Sequence, residues 1–241
     1  MDVSYSEISK MIDHALLKPT LTAADLEAGC RTARAYDVAS VCMMPFAVKQ
    51  CVDLLVGSTV LLSTTIGFPH GASATSTKVA QSETALADGC AELDMVVNIS
   101  KVLSEDWNYV RGEIQAIVDL VHAAGRKVKV IFETCFLSDG QKQRLCEICG
   151  ETNADWSKTS TGFGTGGATH EDLRLMRKHC PGHVQIKASG GICNLDALLG
   201  VRQIGVTRVG TSSTQNILDE ARCRLGLAPI DGARGAANDG Y

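Results

Sequence analysis

Two lysines lie at or near the ends of short β-branched segments, where an inert lysine is rarely found. Lys158 ends the segment Asp155–Lys158, and Lys187 lies one residue before the end of Val184–Ala188. If these segments are adjacent strands, about 4.8 Å apart, the two side chains can share one pocket. A lysine with the ordinary pKa of about 10.4 is neutral in only about one molecule in 2,500 at pH 7. Burial and a neighbouring ammonium lower that pKa, which is how a lysine becomes able to form a Schiff base.

The same spacing leaves alternatives open. Asp94 and Glu133 could instead neutralise the two lysines in an inert polar core. Lys129 alternates with two valines, so its side chain also points inward and is a third candidate for the Schiff base. Asp94 lies on the same strand face as Glu92, where its carboxylate could orient the lysines or relay protons through a water molecule. The residues by themselves therefore indicate amine chemistry without choosing one nucleophile.

Two loops with many hydrogen-bond donors follow the last two predicted strands. Gly190 and Gly191 come directly after the strand that carries Lys187, and Ser212 and Ser213 lead from the final strand into a helix. Barrel enzymes often bind a phosphate group at these two loops, through backbone N–H groups and a helix N-terminus. Gly162 adds a third flexible loop after Lys158. The pattern predicts a phosphate site beside the lysines.

Other reactive side chains have simpler expected roles. Cys42 ends a predicted strand and is either a core thiol or a thiol that lines the pocket. His14 and His70 are single histidines near strand ends, which are more often structural than catalytic. Asp13 is expected to be a structural partner of the loops. The CxxC segment Cys146–Cys149 has no second pair and lies in a helical pattern, so we predict buried thiols and no metal site.

The elements that must hold these residues alternate along the whole chain. Eight short β-branched segments are each followed by a segment of helical period. The predicted strands are Met11–His14, Ser40–Met43, Leu61–Ile66, Glu92–Val97, Val128–Phe132, Asp155–Lys158, Val184–Ala188 and Arg208–Gly210. The predicted helices span residues 22–35, 46–55, 75–88, 107–124, 138–150, 170–179, 195–203 and 213–225.

This alternation predicts one α/β domain, a single (β/α)8 TIM barrel over residues 1–228. An open doubly wound sheet is less favoured because no glycine follows the first strand, where a dinucleotide fingerprint would begin. The Gly/Ala-rich segment 229–241 is predicted to be a flexible tail. In a barrel the catalytic residues lie at the C-terminal ends of the strands, and the lysines and both loops are expected there.

Composition and charge exclude several other classes of protein. The 241 residues are 45% hydrophobic and 21% charged, which is typical of a globular domain. The formal net charge is −4 and no basic run is present, so we expect neither nucleic-acid binding nor a cationic membrane face. Residues 60–68, the most apolar stretch, are too few to cross a bilayer, and the first residues lack the features of a secretory signal. We therefore predict a cytoplasmic protein.

The chain resembles one known family, deoxyribose-phosphate aldolase. The most specific matches are Lys158–Phe163, with the sequence KTSTGF, and Lys187–Ile192, with the sequence KASGGI. The matching segments occur in the family's order from residue 12 to about residue 213, which is most of the chain. The other segments are Ile12–Leu17, Ser40–Pro45, Gly67–Gly71, Glu92–Asn98, Lys129–Glu133 and Arg208–Ser213.

The resemblance implies a (β/α)8 aldolase that forms a Schiff base and uses no metal or organic cofactor. It implies reversible cleavage of 2-deoxy-D-ribose 5-phosphate to acetaldehyde and D-glyceraldehyde 3-phosphate. Lys158 is then the Schiff-base lysine, Lys187 the neighbour that lowers its pKa, and Asp94 the carboxylate of the proton relay. Lys129 is left in the pocket wall. The resemblance also implies a phosphate site lined by Gly162, Gly190, Gly191, Ser212 and Ser213.

One position departs from the family's pattern, and two other functions remain open. Ala15 stands where the family commonly has threonine, which removes one hydroxyl near the site without changing the catalytic set. The alternatives are a Schiff-base aldolase for another phosphorylated sugar and a barrel that only binds a sugar phosphate. The expected partners are a small sugar phosphate and aldehydes, and a homodimer is compatible with the sequence.

The last residue, Tyr241, is a further candidate. A Gly/Ala-rich tail has too little apolar surface to fold alone. Thirteen residues from Pro229 span at most roughly 45 Å, which is enough to reach the mouth of the pocket. We therefore expect Tyr241 either to enter the site and assist proton exchange or to lie at the end of a disordered terminus.

Overall fold

The computed structural model describes residues 3–230, and these residues contain eight parallel strands that close into a barrel. The strands pair in the order of the sequence, and the first strand also pairs with the eighth. The strands are β1 (Ile12–Leu16), β2 (Ser40–Met43), β3 (Leu61–Ile66), β4 (Glu92–Val96), β5 (Lys127–Ile131), β6 (Trp156–Lys158), β7 (Gln185–Ser189) and β8 (Arg208–Thr211). The predicted TIM barrel is confirmed.

Helices connect the strands on the outside of the barrel. Most begin at a side chain that accepts a hydrogen bond from the first turn, as Thr22 and Ser138 do in capping boxes. The helices are α1 (Tyr5–Ser9), α2 (Ala23–Tyr36), α3 (Val48–Cys51), α4 (Thr75–Ala87), α5 (Ile99–Leu103), α6 (Trp107–Ala123), α7 (Asp139–Glu151), α8 (His170–His179), α9 (Leu195–Gln203) and α10 (Thr214–Arg224). Short 3-10 turns occur at Pro45–Ala47, Asp53–Leu55 and Thr134–Phe136.

The alternation of side chains along each strand separates an apolar layer from a polar interior. Outward residues such as Leu93, Val130 and Ile186 are buried in the hydrophobic core beneath the helices. The residues between them point into the barrel, because successive side chains of a strand face opposite sides. In the upper half of this barrel the inward positions hold charged side chains, including Asp94 and Lys187, and these form the site described below.

The strands agree closely with the sequence prediction, whereas several short helices do not. The strands β2 and β3 have the predicted bounds, and the other strands differ by one or two residues at one or both ends. The single helix predicted over residues 46–55 is wrong: the segment is a 3-10 turn, one turn of α-helix and a second 3-10 turn. Pro45 at its start and two β-branched valines, Val48 and Val52, weaken a continuous helix there. Helices α1 and α5 were not predicted, because each has only five residues.

No helix among residues 3–230 is long and apolar enough to cross a bilayer. The predicted tail falls, from residue 231 onward, outside the described residues, and so does Tyr241.

Candidate active site

The two lysines of the sequence motifs lie side by side inside the barrel. Lys158 on β6 is the direct register partner of Lys187 on β7. Both are buried, with exposed fractions of 3% and 1%. Their ammonium nitrogens both donate to the same oxygen of Asp94, Oδ2, at 2.7 and 2.8 Å. The structure therefore brings together the three residues that the resemblance assigned to catalysis.

Asp94 also connects the lysines to a larger buried group. Lys129 donates to the other oxygen of Asp94 at 2.9 Å and to Glu92 Oε2 at 2.6 Å. Asp13 accepts hydrogen bonds from Lys187 and Arg208. We call these connected residues the charge cluster; its members are Asp13, Glu92, Asp94, Lys129, Lys158, Lys187 and Arg208.

The lower part of the charge cluster rests on an aromatic ring. Arg208 binds Glu92 with two nitrogens, at 2.8 and 3.0 Å, which fixes the guanidinium plane. Trp156 lies on β6 one inward position below Lys158, and its ring lies 5.2 Å from the Arg208 guanidinium carbon and 5.6 Å from Lys129 Nζ. These contacts with the ring stabilise the charged forms of Arg208 and Lys129.

The number of charges in the cluster identifies its reactive member. Three acidic and four basic side chains share the site, so full ionisation leaves one excess positive charge. An excess charge is costly in a buried environment, and the cluster becomes neutral when one lysine loses its proton. Lys158 is the basic member with only one carboxylate partner among the described residues, Asp94. It is therefore the lysine that most readily becomes neutral.

The pKa shifts of the three lysines agree with this charge count. Burial lowers the pKa of Lys158 below its ordinary value, and the Lys187 ammonium lowers it further against the opposing effect of Asp94. Burial also disfavours charge on Lys187, but Asp13 and Asp94 outweigh burial and raise the pKa of Lys187. Lys129, in contact with Asp94, Asp13 and Glu92, has a pKa well above its ordinary value. The site thus holds one neutralisable amine beside two permanent ammonium groups.

A cleft opens above the charge cluster at the C-terminal ends of the strands. Lys158 and Lys187 line one wall of it, where a ligand can reach them. Ala15 lines the cleft as well, at the position where the family commonly has threonine. The predicted site residues that line it are Cys42, Lys158, Lys187, Gly162, Gly190, Gly191 and Ser212. Lys129 is fully buried below the cleft and is not among the described residues that line it.

The predicted phosphate loops form the far end of this cleft. Gly190 and Gly191 have φ values of 83° and 85°, so two consecutive residues adopt a conformation that side chains disfavour. At Gly191 no atom lies within 4 Å of where a Cβ would be, so a ligand can approach the backbone there, whereas Gly190 packs closely against Gly167. Ser212 lines the cleft, whereas Ser213 precedes helix α10 and its N–H group donates to Thr211 Oγ1 at 3.0 Å.

Glu133 has a different role from the one considered from sequence. It contacts neither catalytic lysine among the hydrogen bonds and ion pairs of residues 3–230. Its Oε1 accepts from the N–H group of Thr161 at 3.1 Å, and its Oε2 contacts the Thr161 hydroxyl. Since Thr161 and Gly162 both line the cleft, Glu133 fixes the loop after β6. The sequence hypothesis that Asp94 and Glu133 jointly neutralise the lysines is wrong for Glu133.

The secondary candidates divide into residues at the site and residues away from it. Cys42 lines the cleft, and burial raises the pKa of its thiol. His14 is buried and bonds Thr214 Oγ1 through Nδ1 at 2.8 Å, whereas His70 is exposed on the loop after β3. Both thiols of Cys146–Cys149 are buried in helix α7, as the CxxC prediction required.

Sequence reasoning underestimated three members of the charge cluster. Asp13 was interpreted as a loop partner, but it is fully buried and binds Lys187, Arg208 and Ser40. Arg208 was not singled out, and Glu92 was noted only as a neighbour of Asp94. All three occupy inward positions of strands whose alternate residues are mostly apolar. A charged residue at an inward strand position is therefore the signal that could have identified them.

Comparisons with known proteins agree with this geometry. The family model described as "DeoC/LacD family aldolase" matches residues 8–203. A protein named deoxyribose-phosphate aldolase from Rhodopirellula baltica is 56% identical over 230 residues, which cover 95% of each chain. One of the same name from Thermococcus gammatolerans is 44% identical, over 90% of this chain and 97% of the relative.

A solved structure is also similar. The deoxyribose phosphate aldolase of Aeropyrum pernix, described as a tetramer, superimposes with a TM-score of 0.85 at 30% sequence identity. The superposition covers 91% of this chain and 92% of that chain. The similarity therefore extends over most of the chain.

Proposed function

The chain belongs to the DeoC/LacD family of aldolases, and on this premise we propose that it cleaves 2-deoxy-D-ribose 5-phosphate reversibly to acetaldehyde and D-glyceraldehyde 3-phosphate. The family resemblance that the motifs indicated is confirmed by the matches to named deoxyribose-phosphate aldolases. The reaction is that of a carbon–carbon lyase. It requires an amine that is neutral near pH 7 and a place for the substrate's phosphate group.

One observation carries the proposal: Lys158 is the neutralisable amine of a buried cluster that otherwise balances its charges. Three carboxylates face Lys129, Lys187 and Arg208, each of which contacts at least two of those carboxylates. Lys158 contacts one carboxylate and reaches the cleft. A lysine that merely fills a polar core would have no such combination of lowered pKa and access.

The chemistry then follows from the positions of these groups. The neutral amine of Lys158 adds to the aldehyde carbon of the open-chain sugar and loses water to form an imine. The protonated imine withdraws the electrons of the C3–C4 bond, which breaks and leaves an enamine on the two-carbon fragment. The proton of the C4 hydroxyl passes to a base as glyceraldehyde 3-phosphate leaves. We assign that transfer to a water molecule held by Asp94 and Lys187.

The remaining site residues serve binding in this proposal. Gly162, Gly190 and Gly191 present backbone N–H groups to the phosphate, and Ser212 and Ser213 add hydroxyl donors before the N-terminus of helix α10. The phosphate thereby supplies binding energy far from the reacting carbons and positions the sugar.

Two other residues act nearer the reacting carbons. Cys42 packs against the aldehyde end of the substrate. Lys129 lies below the cleft, and its permanent ammonium charge keeps Asp94 ionised. Lys129 is unsuitable as the nucleophile because three carboxylates hold its pKa high and because it is buried away from the cleft.

The proposal extends to location and assembly. All ten cysteines are free thiols and seven of them are buried, which supports a reducing compartment such as the cytoplasm. The homodimer that the sequence allowed is kept as the assembly to test, and light scattering of the purified chain distinguishes it from a monomer or tetramer. The substrates are small molecules, namely a sugar phosphate and aldehydes.

The experiment that tests the proposed function is a product assay. The enzyme is incubated with 2-deoxy-D-ribose 5-phosphate, and acetaldehyde and glyceraldehyde 3-phosphate are measured separately. Equal amounts of both products are expected, and ribose 5-phosphate should be cleaved far more slowly. Lys158→Met should abolish turnover, whereas Lys142→Met, which removes a largely buried lysine from helix α7, should not.

Two results would reject the proposal. Tight binding of the sugar phosphate without products would favour a barrel that only binds its ligand. Faster cleavage of another phosphorylated sugar would favour a Schiff-base aldolase with a different substrate.

A further inference from the structure

A second cavity lies on the outer surface, in a groove between helices α8 and α9. The groove is lined by His170, Arg174, Arg177, Lys178, Gly200, Gln203 and Ile204. It contains no carboxylate among these lining residues, although the whole chain has a net charge of −4. The cleft above the charge cluster has an entirely different set of lining residues, so the groove is a separate site.

Two of the cations in the groove have no partner within the described chain. Arg174 and Lys178 are exposed, and the side chain of neither makes a hydrogen bond or ion pair with any of residues 3–230. Arg177 differs, because its guanidinium donates to the carbonyl oxygens of Val184 and Cys180 at 3.1 and 3.0 Å. Arg177 is therefore held in place by the backbone, while Arg174 and Lys178 keep all their side-chain donors available.

The spacing of these residues forms a row of side chains that can donate hydrogen bonds to an anion. His170, Arg174 and Lys178 follow one another at intervals of four residues, so they lie in a row on one face of α8, each about 6 Å from the next along the axis. Like charges at this spacing destabilise a helix slightly. Lys178 lies in the last turn of α8, where a cation is favourable to the helix dipole, and the row as a whole suits a ligand with several negative charges in sequence.

The opposite wall of the groove is formed by α9 and the residue after it, and it lies against the His170 ring. Gly200 on α9 has no side chain, and a Cβ atom there would lie 3.6 Å from the His170 ring, which is ordinary van der Waals contact. Gln203 adds an amide that can donate hydrogen bonds, and Ile204 adds an apolar edge. The acidic residue near the start of α9, Asp196, is already paired with Arg224 and does not line the groove.

We propose that the groove between α8 and α9 binds an anion made of linked phosphate groups, held by His170, Arg174 and Lys178 with Arg177 beside them. Arginine and lysine are the side chains that pair best with phosphate oxygens. A chain of phosphates matches a line of cations better than a single compact anion does. This site is independent of the proposed aldolase reaction.

The test is binding of inorganic tripolyphosphate to the full-length protein by calorimetry at low and physiological salt. The wild-type protein should bind in a salt-dependent manner, because exposed charge pairs are screened by ions. The double variant Arg174→Gln/Lys178→Gln should bind about tenfold more weakly or worse. Gly200→Glu should have the same effect, since it adds a carboxylate at the groove wall, where a Cβ atom makes only ordinary van der Waals contact.

Matched controls separate this site from the cleft and from general attraction. Ser212→Asp alters the cleft and should leave tripolyphosphate binding unchanged. The double variant Lys49→Gln/Arg126→Gln removes two exposed cations that do not line the groove, and it should also bind like the wild type. The proposal is overturned if the wild type does not bind, if Ser212→Asp alone abolishes binding, or if the control double variant loses as much affinity as the groove variant.

The source of the phosphate chain is decided by a second ligand. ATP and tripolyphosphate carry the same kind of phosphate chain, and only ATP carries a base and a sugar. Equal affinities would assign the groove to the phosphate chain alone, as in inorganic polyphosphate. Tighter binding of ATP that is lost in Ile204→Ser would assign it to a nucleotide whose base packs on the apolar edge.

Discussion

Replacing Lys187 with leucine should make Lys158 harder to deprotonate while leaving the barrel intact. Both ammonium nitrogens bind the same oxygen of Asp94, at 2.7 and 2.8 Å, so they are at most about 5.5 Å apart. At an effective dielectric constant of about 20, two like charges at that distance repel by about 3 kcal/mol. Because each 1.4 kcal/mol is a factor of about ten, the neutral fraction of Lys158 below its pKa should fall roughly 100-fold.

The assay for this prediction is the dependence of kcat/KM on pH. A base that must be neutral gives a rate that rises with pH and levels off above its pKa. In Lys187→Leu the pKa of Lys158 rises, because the neighbouring positive charge is gone. The rising limb should therefore move to higher pH, and kcat/KM at pH 7 should fall by about 100-fold or more, since Lys187 also holds the proton-transfer water.

A matched variant controls for loss of stability. Lys142→Leu also removes a largely buried lysine, which pairs with Asp139 and Asp172 on the outside of the barrel. It should lower the melting temperature without moving the pH profile. If the rising limb of Lys187→Leu stays at the wild-type pH while the protein remains folded, the electrostatic reasoning is refuted.

Three further predictions concern the phosphate site, acid stability and the end of the chain. Ser212→Asp should repel the substrate's phosphate and raise KM for the phosphorylated sugar but not for deoxyribose; equal losses on both would place the phosphate elsewhere. Burial lowers the pKa of His14 to about 4, below the unfolded value of about 6.5, so stability should fall by about 3 kcal/mol as the pH drops from about 6.5 through 4. Denaturation of His14→Gln at several pH values should lack that loss, and an unchanged loss would contradict it. Deleting Tyr241, which lies outside the described residues, should lower turnover and slow deuterium exchange into acetaldehyde, whereas wild-type rates would show that the residue takes no part.

The barrel could be predicted from the sequence because apolar residues alternate with polar ones along several strands, with a period of two. The outward residues of β4, β5 and β7 are hydrophobic, and the inward residues include the lysines and Asp94. The rule that barrel chemistry lies at the C-terminal ends of strands then gave both lysines and the cleft loops. Short helices were missed, although the capping box from Ser4 to Glu7 is a usable signal for α1.

The pairing within the charge cluster could not be predicted, because it depends on closure of the barrel. Asp13 and Arg208 come from the first and last strands, 195 positions apart, and meet only when β1 pairs with β8. Glu133 adopts a φ of 57°, which turns its side chain toward Thr161 and away from the lysines. Neither the closure contacts nor this local conformation has a signature in hydrophobic periodicity.

The central claim, that Lys158 is the nucleophile, is tested most directly by trapping the imine. The enzyme is incubated with acetaldehyde and borohydride, which reduces the imine to a stable amine, and the modified peptide is then identified by mass spectrometry. The geometry of the charge cluster predicts a single modification, on Lys158, with Lys129 and Lys187 unmodified. Recovery of the modification on Lys129 or Lys187 in the wild-type protein would contradict the account.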